Sequence, residues 1–240
     1  MNTIPRDLRQ RRREPEWMDQ PDIDPALHDS ALRSLERLNS WARSPRLMWP
    51  AIHDVVDSRP DGACRVLDVA TGAGDVPLAL CALAARQGLK LHVTAVDISP
   101  QAIAHAKKRA GASGDSIEFR QCDALREDFP RAEYDIVMCS LFLHHLEEDQ
   151  AVMLLRKMHA AATRLVIVCD LRRCSRGLWL TRVASRVLTR SPVVRVDGPR
   201  SVRAAFTIEE ARAVAQRAGW QDFQIKPVWP YRFILSEHKE

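Results

Sequence analysis

VLDVATGAGDVPLAL, residues Val66 to Leu80, decides how the rest of the chain is read. Val66-Leu67-Asp68-Val69 is an apolar run broken only by an acid, as a buried parallel strand requires. Ala70-Thr71-Gly72-Ala73-Gly74 uses small residues to turn tightly and to let a ligand approach the backbone. Asp75 is expected to cap a helix opening at Val76-Pro77, where proline suits the first turn. A strand, a glycine-rich turn and a helix N-terminus together form a nucleotide-type site. The spacing lacks the third glycine of G-x-G-x-x-G, and no G-x-x-x-x-G-K-[ST] occurs, so a pyrophosphate ligand and an NAD-dependent dehydrogenase are disfavoured. An acid at the strand end, Asp68, repels phosphate and suits a ligand that carries positive charge.

S-adenosylmethionine (SAM) carries both an ammonium and a sulfonium. D-V-A-T-G-A-G-D resembles the first motif of the class I SAM-dependent methyltransferases. It stands near the D-x-A-T-G-x-G-D form of the ubiquinone/menaquinone C-methylase group. The resemblance implies SAM as cofactor, with Asp68, Ala70, Thr71, Gly72 and Gly74 in its site.

Downstream residues fit the same pattern. A helix over 76–87 closed by Gly88 leads to a strand over 89–96 ending in Asp97-Ile98-Ser99-Pro100. That acid stands one βαβ step beyond the glycine turn, where a carboxylate accepts hydrogen bonds from ribose hydroxyls. V-D-I-S-P-x-A-I-x-x-A resembles the same family's second motif and adds Asp97 and Ile98 to the cofactor site. A helix over 101–110, a loop over 111–115 and a strand over 117–121 follow, with Cys122-Asp123-Ala124-Leu125 at the strand's end. By the resemblance, Asp123 approaches the adenine amino group and the Ala124 backbone the ring. A fourth strand, 134–139, leads into Ser140-Leu141-Phe142-Leu143-His144-His145-Leu146, and Ser140 is counted with the cofactor residues. A helix over 150–162 and a fifth strand, 165–169, ending at Asp170, complete the series. The likeness runs from Cys64 to Asp170. It departs from relatives at Ala160-Ala161-Ala162-Thr163-Arg164, where they carry Pro-Gly-Gly. The fold expected is α/β: a Rossmann-like, doubly wound, mostly parallel sheet closed by an antiparallel C-terminal hairpin, 224–228 and 231–235.

The flanks differ from this core. Residues 1–24 are polar and proline-punctuated and are expected to be a mobile arm, with Trp17 and Met18 able to dock; 25–240 form the methyltransferase domain. Within it, 25–60 read as two helices. The first carries the stripe Leu27, Ala31, Leu35, Leu38, Trp41, and the second opens at Ser44-Pro45; in SAM enzymes such helices cover the cofactor or simply pack on the sheet. Residues 171–206 read as an inserted helical lid. It includes a basic amphipathic helix with Leu178, Val183, Val187 and Leu188 on one side, and a turn at Asp197-Gly198-Pro199-Arg200. Thr207-Ile208-Glu209-Glu210 is a capping box opening a helix that Gly219 ends.

Six cysteines form no C-x-x-C pair, no apolar run reaches a membrane span and no apolar leader opens the chain, so a reduced, cytoplasmic protein is expected. The net charge of +5 comes largely from the arm and the 172–203 stretch and reads as solvated surface; RNA binding is disfavoured and membrane-surface contact is a lesser alternative. Nucleic-acid amino methylases resembling this fold carry Asn/Asp-Pro-Pro-Tyr after the fourth strand. This chain has Cys139-Ser140-Leu141-Phe142 there, and Cys139 lacks the preceding proline of a cytosine C5-methylase nucleophile. Small-molecule relatives often hold His-x-Leu or His-His-Leu at this place. An imidazole titrates near neutrality, so His144 or His145 is a candidate base, with Asp170 orienting it or touching the acceptor. Either histidine equally suits backbone hydrogen bonding or a helix cap. No metal is expected, because the local sequence supplies no third and fourth ligand. Trp41, Trp49, Trp179, Trp220, Trp229, Tyr231 and Phe233 are candidates for an acceptor pocket or for core. The function expected is methylation of a small, aromatic or polyketide-like acceptor, at oxygen rather than carbon. The alternatives are a quinone-ring C-methylase, an rRNA/tRNA methylase and a non-catalytic SAM-binding module.

Overall fold

A computed structural model describes residues 8–19, 23–24, 27, 30–31, 34, 44–59, 62–111, 116–189 and 191–239. The runs anticipated as strands form one seven-stranded sheet in the order β3-β2-β1-β4-β5-β7-β6. These are β1 (Ala63–Val69), β2 (Lys90–Asp97), β3 (Ile117–Gln121), β4 (Tyr134–Ser140), β5 (Ala162–Leu171), β6 (Gln224–Val228) and β7 (Arg232–His238). The first five pair in parallel, and β7 runs antiparallel between β5 and β6. Strand β4 is buried on both faces and β1 along its second half, which is why their sequences read as continuous apolar runs instead of alternating ones.

Among the described residues seven α-helices cover the sheet: α1 (Ser44–Asp57), α2 (Asp75–Ala85), α3 (Pro100–Ala110), α4 (Glu148–Ala161), α5 (Ser175–Val187), α6 (Pro192–Ala204) and α7 (Ile208–Arg217). Met48, Ile52 and Val56 of α1 join Leu80 of α2 and Ala106 of α3 on one face. Leu154, Leu155 and Met158 of α4 join Val214 of α7 on the other. The strand order reverses between β1 and β4, so a crevice opens at their carboxyl ends, where ligands bind in open α/β sheets.

The capping box at Thr207 forms as expected. Its hydroxyl accepts from Glu210 N at 3.2 Å and its own N–H donates to Glu210 Oε2 at 2.9 Å.

Four local expectations are corrected, and one left open is decided. Asp75 is the first residue of α2, not its cap; the N-cap is Gly74 in the left-handed conformation. Asp197-Gly198-Pro199-Arg200 is not a turn but the middle of α6. A Cβ on Gly198 would lie 3.0 Å from Thr181 Cγ2, so its glycine lets α6 lie close against α5. Asp197 accepts from Trp17 N at 2.8 Å and Met18 N at 3.0 Å, and this tertiary bonding outweighs local turn propensity. The four apolar residues of α5 do not share a buried side: Leu178 is buried while Val187 is 75% exposed. Nine residues at about 100° each put them on opposite faces.

The arm, expected to be mobile, is packed on the fold over residues 8–19. Leu8 is buried, Arg12 N donates to Arg203 O at 3.1 Å, and buried Arg173 reaches Leu8 O at 3.0 Å. Finally, α1 packs on the sheet, and Arg232 bonds Ser44 Oγ across it, so this helix supports the core and does not border the crevice. Leu27 and Ala31 of the preceding stripe pack with Val193 and Val194 of α6; Leu35, Leu38 and Trp41 lie outside the described residues.

Candidate functional site

The chain must reverse direction abruptly where β1 and β4 end, and it does so in left-handed backbone: Ala70 at φ 58°, Gly72 at 57°, Gly74 at 72° and Leu141 at 56°. Two of these residues carry a Cβ, so the turns hold strain at the crevice. The two glycines do different things. A Cβ on Gly72 would meet nothing within 4 Å, leaving open space above the turn for a ligand. A Cβ on Gly74 would come 2.8 Å from Phe119, so this glycine lets the turn settle on β3.

Above these turns lies a cavity of about 280 Å³. Asp68, Ala70, Thr71 and Gly72 from the first turn border it, as do Ser140, His144 and His145 beyond β4. A second cavity of about 260 Å³ shares Ala70 and His145 with it and is bordered by Asp97, Ile98, Asp123 and Ala124. The sequence-predicted cofactor residues thus fall around one continuous wall, except Gly74, which lies beneath it. Asp170 stands behind the wall, against His144.

The polar groups show what the first cavity lacks. Both carboxylate oxygens of Asp68, Thr71 Oγ1 and Ser140 Oγ are buried without a hydrogen-bond partner among the described residues. Such groups carry a desolvation cost until a ligand completes them. Burial, aided by the Asp75 and Asp97 carboxylates, pushes Asp68 up to about 7. Thr71 lies beside it and draws the value down slightly, without regular hydrogen-bond geometry. A cationic group arriving here would restore the ionised carboxylate. In the second cavity, Asp97 accepts from Gly72 N at 2.8 Å and Ser99 N at 2.9 Å, so it also pins the glycine turn. Ile98 next to it is 60% exposed, an apolar surface fit for a planar ring.

His144 and Asp170 form a buried pair. Nδ1 of His144 lies 2.6 Å from Asp170 Oδ1, and the His144 backbone N–H donates to Asp170 Oδ2 at 3.1 Å. Burial alone would raise the Asp170 carboxyl, but the charge and hydrogen bond of His144, the Leu171 N–H and His145 outweigh it and hold the group below its ordinary value. With Nδ1 directed at a carboxylate, Nε2 is left as the basic nitrogen. The His145 ring lies 4.3 Å, centroid to centroid, from that of His144 and is tilted 36° to it.

Sequence reasoning missed Glu16. It is buried, borders the same cavity and accepts from Ser201 Oγ at 2.5 Å. One ligand-type atom each of Glu16, His144 and His145 lies within 4.8 Å of the others. The arm that delivers it is fixed by Arg11, which donates to His144 O at 2.8 Å and lies 3.8 Å over the Phe206 ring. Burial, then the neighbouring Arg13, lowers Arg11 to about 10. The signal in the sequence was the apolar pair Trp17-Met18 directly after Glu16, in an otherwise polar arm. Of the aromatic candidates, Tyr231 borders the cavity, whereas Trp220 and Phe233 are core, Trp49 is partly buried against α1's side of the sheet, Trp179 and Trp229 are exposed, and Trp41 lies outside the described residues. Cys139 is fully buried and burial holds its thiol well above the ordinary range, which removes it as a nucleophile.

Residues 66–164 match the family described as a methyltransferase domain. Over those residues the chain carries a methyltransferase domain. A demethylmenaquinone methyltransferase of Deinococcus radiodurans is 34% identical over 105 residues, 43% of this chain and 42% of the relative. Its counterpart in Thermus thermophilus is 30% identical over 135 residues, 56% of this chain and 58% of the relative. This chain therefore spans about half the length of the curated relatives it matches. Among solved structures, a plantazolicin methyltransferase in complex with S-adenosylhomocysteine shares the fold at a TM-score of 0.70 and 14% identity, over 90% of this chain and 92% of that one. SAM is the cofactor of this methyltransferase family, and the unsatisfied Asp68, Thr71 and Ser140 with the open Gly72 turn fit it.

Proposed function

We propose that the protein transfers the methyl group of SAM to a hydroxyl oxygen of a small acceptor, aromatic or polyketide-like. The Asp170–His144 pair at the cavity wall carries this reading. When bound, SAM supplies a methyl group made electrophilic by its sulfonium. Asp68 would hold the cofactor's ammonium, Asp97 its ribose hydroxyls, and Asp123 with Ala124 and Ile98 the adenine; all of them border the two cavities. Asp170 holds His144 with Nδ1 protonated, so Nε2 takes the acceptor's hydroxyl proton as the oxygen becomes methylated. Asp170 then stabilises the imidazolium. Leu180, Val194 and Val202 of α5 and α6 wall the cavity with apolar groups and keep water from the reacting atoms. This pair acts as a lid over 171–206. Arg11 and Arg13 of the arm are engaged with His144 O and Glu147, which weighs against an RNA footprint there.

The relatives named above favour quinone-ring C-methylation as the alternative acceptor chemistry, and in that case His144 removes a ring proton instead. The test is an acceptor panel of phenols and quinols with the product resolved by NMR. His144→Ala and Asp170→Asn should each lower turnover about 10²–10⁴-fold while the SAM dissociation constant stays within about threefold. Wild-type turnover in both variants removes the base; a carbon-bound methyl selects the alternative.

A second reading is favoured by Glu16, which supplies the third ligand-type group absent from the local sequence. A divalent cation held by Glu16, His144 and His145 would acidify the acceptor hydroxyl in place of a free base. Exhaustive chelation separates the two: turnover survives it if His144 is the base and is lost if the cation is.

A further inference from the structure

Helix α5 faces two ways. Leu180, Thr181, Ala184 and Ser185 border the cavity. The opposite side exposes Arg176, Trp179, Arg182, Val183, Arg186 and Val187 to solvent. Trp179 is 65% exposed, Val183 39% and Val187 75%, recurring at four-residue steps so that they form one apolar stripe. Arg176, Arg182 and Arg186 flank that stripe. No acid occurs between Asp170 and Asp197, so nothing on this segment balances their charge. A tryptophan and two valines left in water serve neither the core nor the cavity. Their alternation with arginine is the pattern of a helix lying in the boundary between lipid headgroups and acyl chains, its guanidinium groups on anionic headgroups. A second exposed indole, Trp229, lies 5.5 Å from the Tyr231 ring, and Tyr231 packs at Gly177 near the start of α5.

We propose that the outer face of α5 docks on the surface of an anionic lipid bilayer. Docking there sets the helix that walls the acceptor cavity directly on the lipid phase. Given the methyl-transfer reading, an apolar acceptor dissolved in the bilayer then reaches the cavity along α5 without crossing water. The docking itself stands on the exposed face and needs no acceptor to be observed.

The experiment is vesicle co-sedimentation of the full chain, with phosphatidylglycerol/phosphatidylcholine vesicles against phosphatidylcholine alone, at low and about 0.5 M salt. Binding to the anionic vesicles should be at least tenfold tighter and should weaken with salt. Trp179→Ala/Val187→Ala and, separately, Arg182→Glu/Arg186→Glu should each lower it tenfold or more. SAM binding measured by calorimetry should be unchanged in both, since none of these residues borders the cofactor wall. The proposal is overturned if the wild type ignores anionic vesicles or if both variants bind as the wild type does. It is also overturned if light scattering shows a dimer that Trp179→Ala/Val187→Ala converts to monomer, because a second copy then covers the face. Vesicle binding without turnover on any acceptor would count against methyl transfer and leave the docking in place; the converse result would do the opposite.

Discussion

A buried carboxyl group with no partner destabilises a fold unless a cation comes to it, and Asp68 is such a group. Its folded-state value of about 7 lies above that of an unfolded aspartate. The contribution to stability is therefore present at low pH, where the group is neutral in both states. It is lost as pH rises through the folded value, since ionisation is easier in the unfolded chain. Asp68→Asn should stabilise the ligand-free protein by roughly 1–3 kcal/mol at pH 8 and by little at pH 4.5. The same change should weaken SAM binding at pH 8 by about 10–100-fold, through loss of one charge-assisted contact. Urea unfolding at the two pH values, with calorimetry, checks both parts. A variant less stable than wild type at pH 8 would show that Asp68 is already compensated without ligand.

Between elements, Arg173 is the joint that ties the arm to the rest of the fold. Its buried guanidinium donates to Leu8 O at 3.0 Å, to Ala205 O at 2.6 Å and in a fork to both oxygens of Glu210. Burial would raise Glu210, but the Arg173 hydrogen bond and the Thr207 N–H prevail and keep it ionised at ordinary pH. Removing the buried guanidinium strips the Leu8 and Ala205 carbonyls of their donor, while half-exposed Glu210 is met in part by water. Arg173→Met should therefore cost roughly 2–4 kcal/mol. It should also release the arm, so limited proteolysis should cut within residues 8–16 faster than in wild type at equal fraction folded. Unchanged protection of the arm would show that Leu8 and the Arg11–Phe206 contact hold it without Arg173. At this scale the sequence misled in a consistent way. Asp197-Gly198-Pro199-Arg200 has turn composition and sits in a helix, because the local preference is weaker than burial of Asp197 and close packing on Thr181.

For the whole molecule, ligand binding and global stability are linked through the same carboxyl group. SAM at about a hundred times its dissociation constant should raise stability by about 2.7 kcal/mol. Because ligand-free Asp68 titrates at about 7 and must be ionised to hold a cation, affinity should fall up to about tenfold per unit of pH below that value. At fixed SAM concentration the rise in Tm should be larger at pH 8 than at pH 6. An equal or larger rise at pH 6 would place the ammonium elsewhere. No helix among the described residues is long and apolar enough to cross a membrane.

The sequence by itself determined the sheet and which strand-end residues border the two cavities. The first five strands each end at an acid or a small-residue turn built within a few residues of the strand, so Asp68, Gly72, Asp97 and Asp123 could be placed from local order. His144, His145 and Asp170 could be named as candidates for the same reason, though only the folded chain chose His144 as the Asp170 partner. That choice depends on two neighbouring strand ends meeting across 26 residues of chain. Glu16 and the outer face of α5 were decided by tertiary structure alone. Glu16 reaches the histidines from far upstream, held by Arg11 on Phe206 and by Ser201, contacts that no local spacing encodes. Helix α5 has apolar residues all round, and which of them faces core, cavity or solvent is fixed only when α6 packs against it.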